Sequence, residues 1–420
     1  MGEAQLEYRH QPRRAVEAIA DFETPALLLD LDGVTWSYQT FADIWERRFE
    51  SFDVAYSFKT NPLGVITNRL REIGALAEVV SGMELAWALE DGYDDGEIIF
   101  NGPLKLDEEL RRANRHNAVI NVDSERDFKR LRRTTDEKRA RVGVRVATED
   151  GEGAWNRFGV KPSRAVDLID RAGEADDLEP VAVHQHIGTN IADPDRYQKS
   201  CKRLAPVARH LFEWTDPADC LVDIGGGYPV MCTRPSDATE WSPPPLDAFA
   251  DAVVEGLGTV GNSRARVLTE PGRAIVEPHG HLVCRVCDVY DINGDQAVVV
   301  DAGTNVVPSA FAYDRPITFV TAEDTDETTT TYDVYGPLCL QADRLGSDVP
   351  GPTDLAVGDY AVIHGVGGYD IPGAYSWIRP VPPILVSYNN EIGLVRERPT
   401  PQSVRALERE GVFDDQRRRL

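Results

Sequence analysis

Between residues 54 and 270 this 420-residue chain repeats one rhythm eight times: a short apolar run, a polar or glycine break, then a helix-like stretch. The apolar runs are residues 54–58, 78–80, 97–100, 118–122, 140–146, 181–186, 220–224 and 266–269. Between them, GMELAWALEDG, LDEELRRANRH, SERDFKRLRRT and PSRAVDLIDRAG carry apolar residues at helical spacing. Strands separated by helices pair in parallel, because each helix returns the chain to the same end of the sheet. Eight such units are the number that closes a (β/α)8 TIM barrel, so an α/β chain with a barrel over residues 30–275 is expected. The run at 78–80 is its weakest member. After residue 275 the texture changes: CRVCDVYDI, QAVVVDAG, TTTYDVYG and YAVIHG are strand-like and separated by turn residues. Residues 276–400 should therefore form a mostly β domain, and the strand in ETPALLLDLDG, residues 22–30, joins either domain. The segment TAEDTDETTTT reads as a solvated acidic loop and residues 401–420 as a charged tail.

The bulk numbers exclude several classes of function. A net charge of −25, from 70 acidic and 45 basic residues, argues against nucleic acid, whose phosphates need clustered positive charge. No uninterrupted apolar run long enough to span a membrane occurs. The opening MGEAQLEYRHQPRRAVEA is polar and lacks the apolar segment of a secretory signal, so a cytoplasmic enzyme is expected. Only seven of the basic residues are Lys, against 38 Arg, and an acidic, Lys-poor surface fits a halophilic protein whose self-repulsion is screened by salt. Six scattered cysteines do not suggest a disulfide framework. Cys284 and Cys287 form a C-x-x-C, but on a strand they face opposite sides, and no second pair completes a zinc set.

Barrel enzymes carry their chemistry at the C-terminal ends of the strands. The residues there are Lys59, Ser81, Asn101, Arg145, His186, Gly225-Gly226-Gly227 and Glu270-Pro271-Gly272-Arg273. An imine-forming amine, an imidazole, a glycine turn and a carboxylate are the parts a pyridoxal 5'-phosphate site needs. Alone, each has a plainer reading: a rim charge, a core histidine, a tight turn, a Glu–Arg pair closing a loop. Lys59 is flanked by Tyr56 and Phe58, surroundings expected to disfavour its cation and leave a neutral nucleophile. The three glycines let backbone N–H groups approach a phosphate. His186 is placed to stack flat on a ring, with Gly188 and Thr189 near the phosphate. His184 shares its strand face, but a metal needs a third ligand that the sequence does not place, so no metal is expected. Glu270 beside a pyridine nitrogen would keep that nitrogen protonated, and Arg273 offers its fork of donors to a phosphate or a carboxylate.

In order, YSFKTN, VVSGMELAWAL, HQHIGT, GGG, EPGR, GPLC and GAY resemble the fold-type III pyridoxal-phosphate-dependent decarboxylases. They are most similar to the diaminopimelate decarboxylase group, with ornithine decarboxylase among its relatives. The resemblance runs from Thr24 to Val386. It implies an alanine-racemase-like barrel with a β domain, working as a homodimer with shared active sites on a small amino-acid substrate. By the resemblance, Lys59 is the Schiff-base lysine, His186 stacks on the ring and Glu270 pairs with its nitrogen. Gly226, Gly227, Arg273 and Tyr375 would lie around the phosphate, with Asp343, Arg273 and Tyr375 toward substrate. Cys339 would reach the partner's site and return a proton. The chain departs from the group where the far end of diaminopimelate is held. Leu340 follows Cys339 where a Glu is typical, and Val307 and Phe311 stand where an Arg and a Tyr form a carboxylate clamp. The expected activity is therefore α-decarboxylation of a diaminopimelate-like, modified or conjugated amino acid. Genuine meso-diaminopimelate decarboxylation to L-lysine is the alternative. A racemase of this fold would carry Arg in place of Glu270, and a silent homologue has no need of Lys59 and Cys339.

Overall fold

The computed structural model describes residues 12–135, 138–148, 157–292, 294–322 and 328–406. Part of the acidic loop, the chain before residue 12 and the charged tail beyond residue 406 lie outside them. Two compact units emerge among the described residues, one holding Leu31–His279 and Gly367–Pro372, the other holding residues 12–30, Gly280–Val366 and residues 373–406. Strand β1 (Ala26–Asp30) belongs to the second unit, which answers the question left open for ETPALLLDLDG.

In the first unit the strands are β2 (Phe52–Ser57), β3 (Leu76–Val79), β4 (Ile98–Phe100), β5 (Val119–Val122), β6 (Ala140–Arg145), β7 (Leu178–His184) and β8 (Leu221–Asp223). After the two-residue β9 (Arg234–Pro235), β10 (Arg266–Thr269) completes the set. They close in the order β10-β2-β3-β4-β5-β6-β7-β8, every pairing parallel. The expected eight-stranded barrel is therefore present, and even the weak second run forms a strand. The helices behave as their periodicity predicts: Glu125–Thr134 buries Phe128 and Leu131, each worth about 1.5–3 kcal/mol relative to exposure. Ser124 caps that helix, its hydroxyl accepting the Asp127 N–H at 3.1 Å.

Inside the barrel the side-chain period of two produces layers. Ala55, Ile99, Val119, Ala182, Leu221 and Leu268 belong to one buried apolar cluster, with Leu76 packed against it. Two residues further along the same strands stand Ser57, Asn101, Asn121, His184, Asp223, Glu270 and Glu78, all buried. Gly143 and Arg145 complete the pattern on β6. An apolar floor thus carries a polar layer at the C-terminal mouth.

The second unit is built on a nine-stranded sheet. Its strands are β1, β11 (Gly280–Ile292), β12 (Asp295–Val300), β14 (Ile317–Val320), β15 (Thr328–Tyr335), β16 (Arg344–Pro352), β17 (Tyr360–His364), β18 (Ile384–Tyr388) and β19 (Glu391–Arg396). The two-residue β13 (Tyr313–Asp314) stands outside this sheet. β1 runs antiparallel to β11 and parallel to β18, with Leu28 opposite His281 and Leu385. Ala26, Leu28, Val283, Val362 and Leu385 form its core with Ala15 of the helix Pro12–Ala18 and Ile19 just beyond it. Cys284 is buried and Cys287 exposed, as opposite strand faces require. Among the described residues no helix is long and apolar enough to cross a membrane.

Candidate active site

Each charged group at the mouth is set by the strand beneath it. β2 ends at Ser57, and one 3-10 turn, Phe58–Thr60, lifts Lys59 above the polar layer. The Lys59 amine lies 2.5 Å from Glu78 Oε2 and keeps about a third of its side chain (34%) exposed. The aromatic neighbours do not leave it neutral. Burial disfavours the cation, but Glu78, Tyr369 and Glu270 outweigh burial and raise its pKa above the ordinary lysine value. Sequence neighbours misled here because the deciding carboxylate comes from the adjacent strand.

Glu78 Oε2 also accepts from Ser57 Oγ at 2.6 Å, while Glu78 Oε1 accepts from Asn101 Nδ2 at 3.0 Å. The same Asn101 nitrogen donates to Glu270 Oε1. Glu270 Oε2 faces His184 Nε2 at 3.5 Å and His186 Nδ1 at 3.7 Å. Burial opposes the Glu270 charge, but the two imidazoles and Lys59 hold its carboxyl well below the usual range. Asp223 goes the other way: burial, then the nearby Glu270, pushes it well above the usual range, which favours its protonated form. His186 is held neutral chiefly by burial, with Lys59 and Arg145 adding to the effect against Glu270. His184, Asp223 and Glu270 are close enough to share an ion, the third ligand that sequence could not place. Yet burial and Glu270 favour the neutral form of Asp223 there, and Glu270 already faces two imidazoles and an amide.

Apart from Asp223, which lies behind it, these groups line one cavity of about 450 Å³, whose wall also includes Gly188, Thr189, Gly227, Arg273 and Tyr369. Arg273 Nη1 donates to Glu277 at 2.6 Å, and its guanidinium lies 4.9 Å over the Tyr369 ring. Farther along the wall, Arg145 and Arg157 stack on Phe158 at 4.6 and 4.2 Å, and Arg145 pairs with Asp123 at 3.1 Å. The glycine run is required by the backbone itself. A Cβ on Gly226 would lie 2.1 Å from the Glu270 carbonyl oxygen, and one on Gly227 2.5 Å from that of Gly188. The Gly226 N–H donates to His186 Nδ1 at 3.2 Å, so that group orients the imidazole. Ser81 belongs elsewhere: it caps the helix Gly82–Glu90, accepting the Glu84 N–H at 3.2 Å.

Glu78, Asp223 and Tyr369 are the site residues the sequence reading missed. The first two had a signal, a charge inside an otherwise apolar strand. Tyr369 had none, since it arrives on the returning segment Gly367–Pro372. Cys339, Asp343 and Tyr375 belong to the second unit. Cys339 and Tyr375 are exposed. The Asp343 carboxylate is occupied within its own loop, accepting the N–H groups of Thr304 and Leu338 at 2.7 and 2.8 Å and the Thr304 hydroxyl at 3.0 Å.

Residues 39–277 match the family described as pyridoxal-dependent decarboxylase, pyridoxal binding domain. The chain belongs to the pyridoxal-dependent decarboxylases. It is 28% identical to diaminopimelate decarboxylase of Methanothermobacter thermautotrophicus over 92% of each chain. It is 30% identical to that of Pseudomonas fluorescens, covering 84% of this chain and 85% of the relative. Diaminopimelate decarboxylase of Helicobacter pylori, solved in complex with L-lysine, superposes with a TM-score of 0.83 at 25% identity, over 94% of this chain and all (100%) of that one. The enzyme is thus a pyridoxal-phosphate-dependent amino-acid decarboxylase. The residues present fit that cofactor. One cavity of sufficient volume holds an amine, a carboxylate kept ionised, a neutral imidazole and a glycine-walled recess ending at an arginine.

Proposed function

We propose that Lys59 carries the cofactor covalently and that the enzyme removes the α-carboxylate of a diaminopimelate-like, modified or conjugated amino acid, releasing carbon dioxide and an amine. The observation that carries this reading is the enclosure of Lys59 and an ionised Glu270 in one cavity. The bound cofactor supplies an electron-withdrawing ring for the charge left by departing carbon dioxide. Glu270 would hold a proton at the ring nitrogen of a bound cofactor, and His186 would lie beside its ring. Gly188, Thr189, Gly226, Gly227, Arg273 and Tyr375 would hold the cofactor's phosphate. Arg273 and Tyr375 would face substrate, whereas Asp343, whose carboxylate is taken up by Thr304 and Leu338, would act only by holding its loop. The thiol of the partner subunit's Cys339 returns a proton to the decarboxylated carbon, so the active unit is a homodimer with shared sites. An acidic, Lys-poor surface suits a cytoplasm of high salt.

Genuine meso-diaminopimelate decarboxylation to L-lysine is the second reading, favoured by the names of the relatives and by Arg145 and Arg157 on the cavity wall. The first is preferred because Leu340, Val307 and Phe311 replace the groups that hold a distal carboxylate in the group this chain resembles. Arg315, the nearest substitute in sequence for the lost arginine, is buried and donates to Ser309 Oγ at 2.8 Å.

Borohydride should fix the cofactor on Lys59, read by peptide mass. A Lys59→Ala protein that still carries reducible, covalently attached cofactor overturns the assignment. Mixing Lys59→Ala with Cys339→Ala protein, once subunit exchange is shown, should restore part of the activity through hybrids with one intact site. Exchange without recovered activity rejects the shared site.

A further inference from the structure

Asn101 is a buried amide whose bonds the decarboxylation chemistry above leaves unexplained. It stands just beyond β4, its N–H extending the ladder to Val79 O at 2.8 Å. Its Nδ2 reaches both Glu78 on β3 and Glu270 beyond β10, two positions separated in the barrel by the whole of β2. An amide can be turned either way, and here the turn is dictated from behind. Asn121 Nδ2 on β5 donates to Asn101 Oδ1 at 2.8 Å, which leaves the Asn101 nitrogen facing the carboxylates. Asn121 has its own fixed seat. It occupies the space that a side chain on Gly143 of β6 would need, since a Cβ there would lie 1.8 Å from Asn121 Oδ1. The Asn121 carbonyl accepts from the fully buried Lys105 amine at 2.8 Å, and that amine also holds Gly102 O at 2.8 Å and Asp127 at 2.9 Å. The end of β5 and the turn after β4 are thereby pinned together.

The two carboxylates need this arrangement for different reasons. Glu78 Oε2 is committed to Lys59 and Ser57, and among the described residues only Asn101 hydrogen-bonds its other oxygen. Glu270 turns Oε2 to the histidines and gives its other oxygen to Asn101. We propose that Asn101, aimed by Asn121, is a positioning residue that keeps the Glu78 carboxylate on Lys59 and the Glu270 carboxylate on the imidazole side of the cavity. Without the shared donor, two like charges face each other across one cavity, each held by its Oε2 alone. The Glu78 carboxylate then swings off Lys59, and the amine loses the counter-charge that retains its proton.

The inference rests on Lys59 being the cofactor lysine, and its test separates the two. Apo-protein is mixed with pyridoxal 5'-phosphate across a pH series and the rate of cofactor capture is followed by absorbance. Addition requires the neutral amine, so the rate rises as Lys59 loses its proton. Asn101→Leu should move the midpoint of that profile down by about one pH unit, and Asn121→Ala, which touches neither carboxylate, should move it the same way by less. A purely structural role predicts weaker capture at every pH with an unmoved midpoint. If Asn101→Leu does not fold, the Asn121→Ala midpoint decides alone. A folded variant with the parental midpoint overturns the positioning role. Peptide mapping after borohydride in the same variants reports whether Lys59 is the attachment point at all, and its failure leaves a distinct signature.

Discussion

In the barrel unit, Glu270 is buried against two imidazoles and one amide; in the β unit, Asp343 is buried against two backbone N–H groups and a hydroxyl. Both carboxylates are nearly inaccessible. The difference lies in what a change of charge would do. The partners of Glu270 are themselves titratable or movable, and they share a cavity with Lys59. The partners of Asp343 are two peptide N–H groups and a hydroxyl, so its carboxylate fastens Thr304 to the turn at 336–343. Burial alone therefore does not mark a catalytic carboxylate; the chemistry of the atoms that satisfy it does.

That contrast can be broken by experiment. Glu270→Gln keeps the shape and removes the charge, and should lower kcat by about 100-fold or more while borohydride still fixes cofactor on Lys59. Asp343→Asn should instead lower thermal stability. Its amide brings a donor against donors and leaves a buried group unpaired, at a cost of about 1–3 kcal/mol, with kcat changed by no more than about threefold. Circular dichroism melts and steady-state kinetics on both variants decide the matter. A tenfold loss of kcat in Asp343→Asn at unchanged Tm would restore the substrate role that the family resemblance implies for it.

The next effect concerns substrate. A site built to pair a polar group discriminates strongly, and one lacking those partners does not. With Leu340, Val307 and Phe311 in place of the clamp, meso-diaminopimelate should be turned over at least about tenfold below the best substrate in kcat/KM. Kinetics in high salt against diamino, acidic and conjugated amino acids measure this. Efficient diaminopimelate turnover, abolished by Arg315→Ala, would establish the second functional reading and leave the catalytic assignment intact.

The smallest effect sharpens the description of the polar layer. Burial, then the nearby Glu270, raises the Asp223 carboxyl well above its ordinary range in the fold, while in the unfolded chain it ionises in the ordinary carboxylate range. A carboxyl whose folded pKa is raised contributes stability that is present at acid pH and is lost as pH rises toward that pKa. Asp223→Asn cannot titrate. Its Tm advantage over the parent should grow from about pH 5 to about pH 8 by a few degrees. A constant difference across that range would mean that Asp223 is ionised in the fold.

Whatever repeats along the chain was legible. The eight apolar runs announced eight strands, and the residues just beyond them announced Lys59, His186, Gly227, Glu270 and Arg273, which do share one cavity. What depends on a neighbour across the barrel was not. Lys59 was read from Tyr56 and Phe58 beside it, whereas its charge is decided by Glu78 from β3. Glu78 and Asp223 lay inside runs read as apolar, and their meaning appears only once the inward face is known. The layering supplies the rule that was wanting: two residues beyond each apolar floor residue, an inward polar side chain marks the mouth. Tyr369 follows no period, because the chain leaves the barrel at His279 and supplies Gly367–Pro372 to the same unit much later.

That late return has a consequence for how the protein is made. Tyr369 donates its N–H to Thr60 O at 2.7 Å, and Asn61 Nδ2 donates to Gly367 O at 2.7 Å, so the turn bearing Lys59 is latched by residues synthesised long after it. On the ribosome all eight barrel strands emerge while this latch is still untranslated. A nascent chain ending at His279 would display Lys59 without its roof, and competence to hold the cofactor would arrive only when residues 367–372 have left the exit tunnel.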